Sequence, residues 1–169
     1  MILGVTGSGK SSLATRVGEL LGVPAVATDD IYWQPGWVKA PVEERARRYA
    51  ALAAGDAWVV DGLPGSGRDV LLSRADLVVG LDYPRWVSLG RLLRRTARRL
   101  VTRETFCNGN TERLRETLSR DSIVAWHFRS YAERRADIAA LEADPAAPPV
   151  VRLTSQRATD DWLRALAGS

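Results

Sequence analysis

Cysteine, histidine and methionine each occur once in these 169 residues, and phenylalanine twice. A lone thiol excludes a disulfide framework and makes a reducing interior the expected compartment. Cys107 also has no second cysteine or nearby histidine with which to build a metal site. No apolar run approaches the length that crosses a bilayer. The N-terminal residues pass directly into a glycine-rich loop and leave no room for a secretory leader, so a cytoplasmic protein with no membrane partner is expected. Internal repeats and low-complexity segments are missing as well. So is any Asn-Lys-x-Asp base-reading motif, which weakens the reading of a GTPase switch.

What is present is ordinary in amount and uneven in sign. Apolar content of 46% and charged content of 26% suit one globular domain over residues 1–169. The net charge is +4, and the positive charge is mostly arginine. That balance suits a phosphate-rich partner, either a nucleotide or a nucleic acid, and composition does not choose between them.

The stretch Gly4-Val5-Thr6-Gly7-Ser8-Gly9-Lys10-Ser11 fits G-x-x-x-x-G-K-[ST] at every fixed position. Glycines let successive backbone N–H groups curl around a phosphate chain. Lys10 is then expected to reach the β/γ-phosphates, with the Ser11 hydroxyl on Mg²⁺. A Gly/Ser-rich turn before a helix is the plainer alternative, but the context favours the phosphate loop. Apolar residues precede it, and Leu13, Val17, Leu20 and Leu21 follow at helical spacing until Gly22. Phosphate contacts are expected from Gly4, Thr6, Gly7, Ser8, Gly9, Lys10, Ser11 and Ser12. Only three residues precede Gly4, so either the first strand is unusually short or the chain starts downstream of its natural beginning.

Short continuous apolar runs at 23–28, 57–61, 76–82 and 150–153 read as further buried strands. Helices are expected from 41 to about 54, near 69–73, from Pro84 to about 101, at 111–118, at 121–143 and at 158–167. An aromatic segment at 31–37 turns at Pro35-Gly36, and a polar loop spans 102–110. Strands alternating with helices give a three-layer α/β fold with a parallel sheet of about five strands.

A phosphate loop needs an acidic partner for the metal's water shell. Asp61 and Asp82 both end apolar strands, and Asp61 is preferred because Gly62 after it opens room for a ligand. Asp82, before Tyr83-Pro84, is expected to fix a turn or cap the following helix. Asp29 and Asp30 stand at the carboxyl end of a strand, where open α/β sheets bind ligands; they are turn residues or acceptor contacts, and Asp29 is preferred as base. Arg91, Arg94, Arg95, Arg98 and Arg99 fall within about 140° of helical arc, with Leu89, Leu92, Leu93 and Leu100 opposite. Such a one-sign stripe is either a solvated face or, preferably, a partner for ligand phosphate. His127 falls on an apolar helical stripe, which points to packing rather than catalysis. Trp33 and Trp37 stack on a ligand ring or lie buried under the adjacent helix.

Several of these segments together carry a resemblance: the phosphate loop, Asp29 with Ile31-Tyr32-Trp33-x-Pro35-Gly36-Trp37, Trp58-Val59-Val60-Asp61-Gly62, and Leu81-Asp82-Tyr83-Pro84-Arg85-Trp86 before the arginine-rich helix. They resemble the adenylate-kinase-like P-loop proteins known as DNA topology modulation proteins. The resemblance implies a P-loop NTPase fold with strand order 2-3-1-4-5 and a nucleoside-monophosphate-kinase-like layout. It implies an acceptor-covering segment at about 32–54 and a short lid at about 91–121. Arg91 and Arg95 would be lid arginines on ATP, and the 155–158 loop, with Arg157, would hold the adenine. The acceptor motif departs from that of adenylate kinases, since Gly65 stands where they carry a monophosphate-gripping arginine.

The resulting expectation is an ATP- and Mg²⁺-dependent kinase. Lys10, Asp29, Arg91 and Arg95 are catalytic, Ser11 and Asp61 hold the metal (Asp61 through water), and the acceptor is an unidentified small nucleotide- or nucleoside-like molecule. The alternative is a non-enzymatic nucleic-acid-associated protein that uses its arginine helix on DNA phosphates.

Overall fold

The computed structural model describes residues 1–102, 104–111 and 123–168. The main sheet comprises β1 (Ile2–Gly4), β2 (Ala25–Ala27), β3 (Val59–Asp61), β4 (Val78–Leu81) and β5 (Val150–Leu153). All neighbours are parallel, in the order β2-β3-β1-β4-β5. This is the expected 2-3-1-4-5 sheet. Each strand has only three or four residues, so the three-residue β1 is no anomaly beside its neighbours.

Alternate side chains of each strand enter opposite cores, as a two-residue repeat dictates. Met1, Leu3, Val60 and Val78 pack with Ile31, Tyr49, Leu71, Ile138 and Leu141. Ile2, Val59, Val79, Leu81 and Leu153 pack with Leu13, Val17, Tyr83 and Leu163. The first face is therefore covered by α2 (Thr28–Tyr32), α3 (Val42–Ala53), α4 (Arg68–Leu72) and α6 (Ile123–Ala143). The second is covered by α1 (Lys10–Leu21) and α7 (Gln156–Ala167). Burial on both faces explains why the strands read as continuous apolar runs.

Helix α5 (Arg85–Thr102) buries Ser88, Leu92 and Thr96. The expected division into an arginine side and a leucine side does not hold, because Leu93 is 48% exposed while Arg91, Arg95 and Arg99 are half-buried. Part of the helix rests on the glycine loop, where the Ser88 carbonyl and Leu92 lie against Gly7. Arg94 and Arg98 point outward; Arg98 pairs with Glu104 at 3.0 Å.

Two further departures matter for the site. Asp29 and Asp30 lie within the one-turn helix α2 and not in a turn ending a strand, because Thr28 starts that helix at the sheet edge. The aromatic segment and the polar loop each form a two-stranded hairpin, Trp33–Gln34 with Val38–Lys39 and Thr105–Phe106 with Asn110–Thr111. The helix expected at 111–118 falls almost wholly outside the described residues, as does much of the region expected as the lid beyond Thr111. Among the described residues, no helix is long and apolar enough to cross a membrane.

Candidate active site

The loop from β1 to α1 is held in a tight curl. The Ser8 amide donates to the Val5 carbonyl at 3.0 Å. Gly7 has φ +84°, and a Cβ there would stand 2.3 Å from the Ser88 carbonyl oxygen of α5. Only glycine fits both the backbone conformation and the contact. Gly9 precedes α1, and no side chain caps that helix. Its first-turn N–H groups therefore lack an intrahelical partner and face the loop, as an anion site requires.

Metal chemistry depends on the next pair. The Ser11 hydroxyl donates to Asp61 Oδ2. Asp61 Oδ1 accepts from the Thr28 amide at 2.8 Å, and the Thr28 hydroxyl donates to the Asp61 carbonyl at 2.7 Å. Asp61 is buried, and that burial pushes its carboxyl above the ordinary range, against the pull of Lys10, Ser11 and Thr28. Gly62 borders a cavity and also makes room for Thr28. With φ +108°, it admits the Thr28 hydroxyl, which would lie 2.8 Å from any Cβ. Among the described residues no group of three or more His, Cys, Asp or Glu is ready to hold a metal alone. A Ser–Asp pair instead fits Mg²⁺, which binds one or two protein oxygens and completes its shell with water and phosphate.

Asp82 takes no part in this and neither fixes a turn nor caps α5. Its carboxylate is buried between Arg135 of α6 and Arg152 of β5, with Arg152 Nε at 2.9 Å. Burial alone would raise its carboxyl, but hydrogen bonds from Arg135 and Arg152 more than offset that and hold it below the usual range.

A cavity of about 1020 Å³ runs from the phosphate loop to the acceptor side. Gly4, Thr6, Lys10 and Ser11 line one end. Asp29, Asp30 and Tyr49 line the wall, with Leu63-Pro64-Gly65 beyond them. Arg45 enters from α3, its guanidinium 4.5 Å from the Tyr32 ring centroid. Trp33 and Trp37 line the cavity and stack edge-on to each other at 5.6 Å, so they are wall residues rather than fully buried ones.

The arginines separate by role. Arg95 and Arg99 line the cavity. Arg91 braces the loop instead, donating to the Ser8 carbonyl at 3.0 Å and to Gln156 Oε1 at 2.8 Å, with Tyr83 beneath it. Arg157 points outward, its side chain 92% exposed and 3.9 Å from Asp161. Ser12 is exposed on α1. In the 155–158 loop, Ser155 caps α7 by accepting from the Ala158 amide.

Two contributors are visible only in three dimensions. His127 is fully buried, and its Nδ1 donates to the Thr6 carbonyl at 2.9 Å, so it packs as expected and also holds the loop. Burial pushes its imidazole below the ordinary range, opposed by the Thr6 bond and aided by Arg85. The hairpin at 105–111 reaches the acceptor side through Cys107, Asn108 and Asn110. Its only sequence signal was the Asn-Gly-Asn turn.

No protein-family model matches this chain, and neither does any curated protein. Among solved structures, shikimate kinase from Acinetobacter baumannii in complex with shikimate is similar over 98% of this chain and 88% of its own, with TM-score 0.56 and 17% identity. A gluconokinase from Sinorhizobium meliloti 1021 is similar over 99% and 91%, with TM-score 0.50 and 19% identity. These likenesses show the fold, a parallel five-stranded sheet with helices on both faces.

Proposed function

We propose that the chain is a Mg²⁺-dependent kinase that moves the γ-phosphoryl group of ATP to a hydroxyl of a small molecule. The observation that carries this reading is that one cavity joins the phosphate loop, with Lys10 and Ser11, to Asp29 and the aromatic acceptor wall. The fold shared with a shikimate kinase and a gluconokinase supports it. The resemblance to topology modulation proteins supports an adenylate-kinase-like version of that fold, with a nucleotide- or nucleoside-like acceptor on the Trp33 and Trp37 side.

Bound Mg·ATP supplies the reactive phosphoryl group. The uncapped amides of α1 and the loop hold its phosphates, and Lys10 neutralises charge that grows in the transition state. Ser11 and, through water, Asp61 would hold the metal, which would offset charge on the phosphates. Arg95 faces the cavity and can bind phosphoryl oxygens, while Arg91 keeps the loop in shape through the Ser8 carbonyl. Asp29 orients the acceptor hydroxyl and takes its proton as that oxygen bonds to the γ-phosphorus and the bond from the γ-phosphorus to the bridging β-phosphate oxygen breaks, releasing ADP. Little covalent chemistry is asked of the protein, so positioning by these groups suffices.

Kinase chemistry is favoured over a nucleic-acid role because Arg91, Arg95 and Arg99 turn to the loop, the cavity and Phe106. Only Arg94 and Arg98 of the stripe face outward. Calorimetric titration of Lys10→Ala with Mg·ATP tests the donor side. Affinity should fall below detection, and unchanged affinity would overturn the reading.

A further inference from the structure

The hairpin at the end of α5 is tied to the acceptor wall by side-chain bonds to backbone. Asn108 Nδ2 donates to the Asp30 carbonyl at 2.8 Å and to the Trp33 carbonyl at 2.6 Å. Cys107 Sγ donates to the Asp29 carbonyl at 3.2 Å. Asn110 Nδ2 donates to the Gln34 carbonyl at 3.1 Å, and its Oδ1 accepts from the Trp37 amide at 3.0 Å. The Trp37 indole N–H reaches the Thr111 carbonyl at 3.3 Å.

A second set of contacts runs beside these bonds. Arg99 of α5 lies 3.7 Å from the Phe106 ring centroid. Phe106 meets Trp37 at 5.5 Å, Trp37 meets Trp33 at 5.6 Å, and Trp33 meets Tyr32 at 4.9 Å. Arg45 of α3 closes the row over Tyr32. The cavity thus has a continuous roof from the helix carrying the donor-side arginines to the helices of the acceptor side.

Backbone conformation sets two residues of this roof apart. Trp37 has φ +60°, a left-handed value that a bulky residue rarely adopts. Its amide bond to Asn110 and its indole bond to Thr111 both run to the other hairpin, so opening would release a strained residue. Asn108, at φ +59°, is of a type that tolerates that region.

We propose that Asn108 is a positioning residue that latches the α5 hairpin to α2, so that nucleotide on the α5 arginines and the Asp29 carboxylate close together over the acceptor. This rests on the kinase reading for the role of Asp29, but the latch is measurable without turnover. Phosphates bound beside Arg95 and Arg99 hold α5 against the cavity. The hairpin follows α5, and Asn108 transmits its position to the two carbonyls it binds.

Cys107 is the only cysteine, and its own partner is the Asp29 carbonyl, so its reactivity reports release from α2. Burial, with Asp29 and Asp30 nearby, also pushes this thiol up to about 12, which keeps it unreactive while latched. The test is the rate of modification by a disulfide reagent at pH 8, with and without Mg·ATP, in wild type and Asn108→Gly. Glycine keeps the left-handed turn and removes only the amide. Wild type should react slowly, and more slowly with Mg·ATP. Asn108→Gly should react about tenfold faster and lose the nucleotide protection, and it should still bind Mg·ATP but several-fold more weakly, because whatever the nucleotide gives the latch the latch returns to the nucleotide. Equal rates in the two proteins, or undiminished protection in the variant, would overturn the latch. So would a wild-type thiol as reactive as a free one, a result that needs no variant to fold. If no acceptor is ever phosphorylated, the role of Asp29 falls with the kinase reading, while the labelling pattern decides the latch by itself.

Discussion

The Ser11 hydroxyl donates to Asp61 Oδ2, joining the first turn of α1 to the end of β3, fifty residues further along the chain. Thr28 holds the other carboxylate oxygen, so the pair is oriented before any ligand arrives. Asp61→Asn keeps the size and removes the charge. It should abolish the gain in ATP affinity that Mg²⁺ gives the wild type, a loss of about 1.5–3 kcal/mol, or roughly tenfold to a hundredfold. Titrations with and without Mg²⁺ check it; an undiminished gain would remove Asp61 from the metal site.

Gly7 is where sterics are least forgiving. Gly7→Ala forces a Cβ to within 2.3 Å of the Ser88 carbonyl oxygen, at φ +84°. The loop must move or α5 must shift, at a cost of about 1–3 kcal/mol. Chemical denaturation should show that loss, and Mg·ATP binding should weaken with it.

His127 makes stability depend on pH through the loop it supports. Its folded-state pKa lies below the ordinary 6.5, so between those values the unfolded chain binds the extra proton. Stability should therefore be complete above the unfolded pKa and decline as pH falls through 6.5 towards the folded value. Denaturation measured from pH 7.5 to 5 should show this decline in wild type and a shallower one in His127→Gln. Parallel curves would mean that the imidazole does not titrate with unfolding.

Asp82 offers the opposite case, a buried carboxylate with no place in the cavity. Asp82→Asn leaves Arg135 and Arg152 facing a neutral group and should cost about 1.5–3 kcal/mol. Mg·ATP affinity should be unchanged. Because its folded pKa is depressed, the contribution is present above the unfolded carboxylate pKa and is lost as pH falls through the lower, folded value. Thermal melts with parallel nucleotide titrations separate Asp82 from Asp61.

Much of the donor side was legible because its signals are local. The glycine spacing, Lys10 and Ser11 occupy consecutive positions, and Asp61 ends an apolar run. The sheet order followed from the resemblance alone, while the parallel, doubly covered sheet followed from runs too continuous for a half-exposed one. The arginine stripe was only half legible. Helical periodicity gives an arc, but which part of it faces inward depends on what the helix rests on, and α5 rests on a glycine loop through Ser88. Contacts that end on backbone carbonyls left no pattern to read. Asn108 bonds the Trp33 carbonyl 75 residues away, and His127 bonds that of Thr6 121 residues away. Any acceptor residue satisfies such a bond, so the sequence at Thr6 and Trp33 carries no mark of it. Gln156, rather than its neighbour Arg157, meets Arg91 for a similar reason: the turn into α7 decides which side chain points inward.

Phosphoryl transfer itself is the most direct measurement. The protein, γ-labelled ATP and Mg²⁺ are incubated with nucleosides, nucleotides, sugars or small hydroxy acids, and the labelled products are separated. The account predicts label on one class of acceptor above the inorganic phosphate background, lost in Lys10→Ala and strongly reduced in Asp29→Asn. Label confined to inorganic phosphate for every class, or transfer that survives Lys10→Ala, would contradict it.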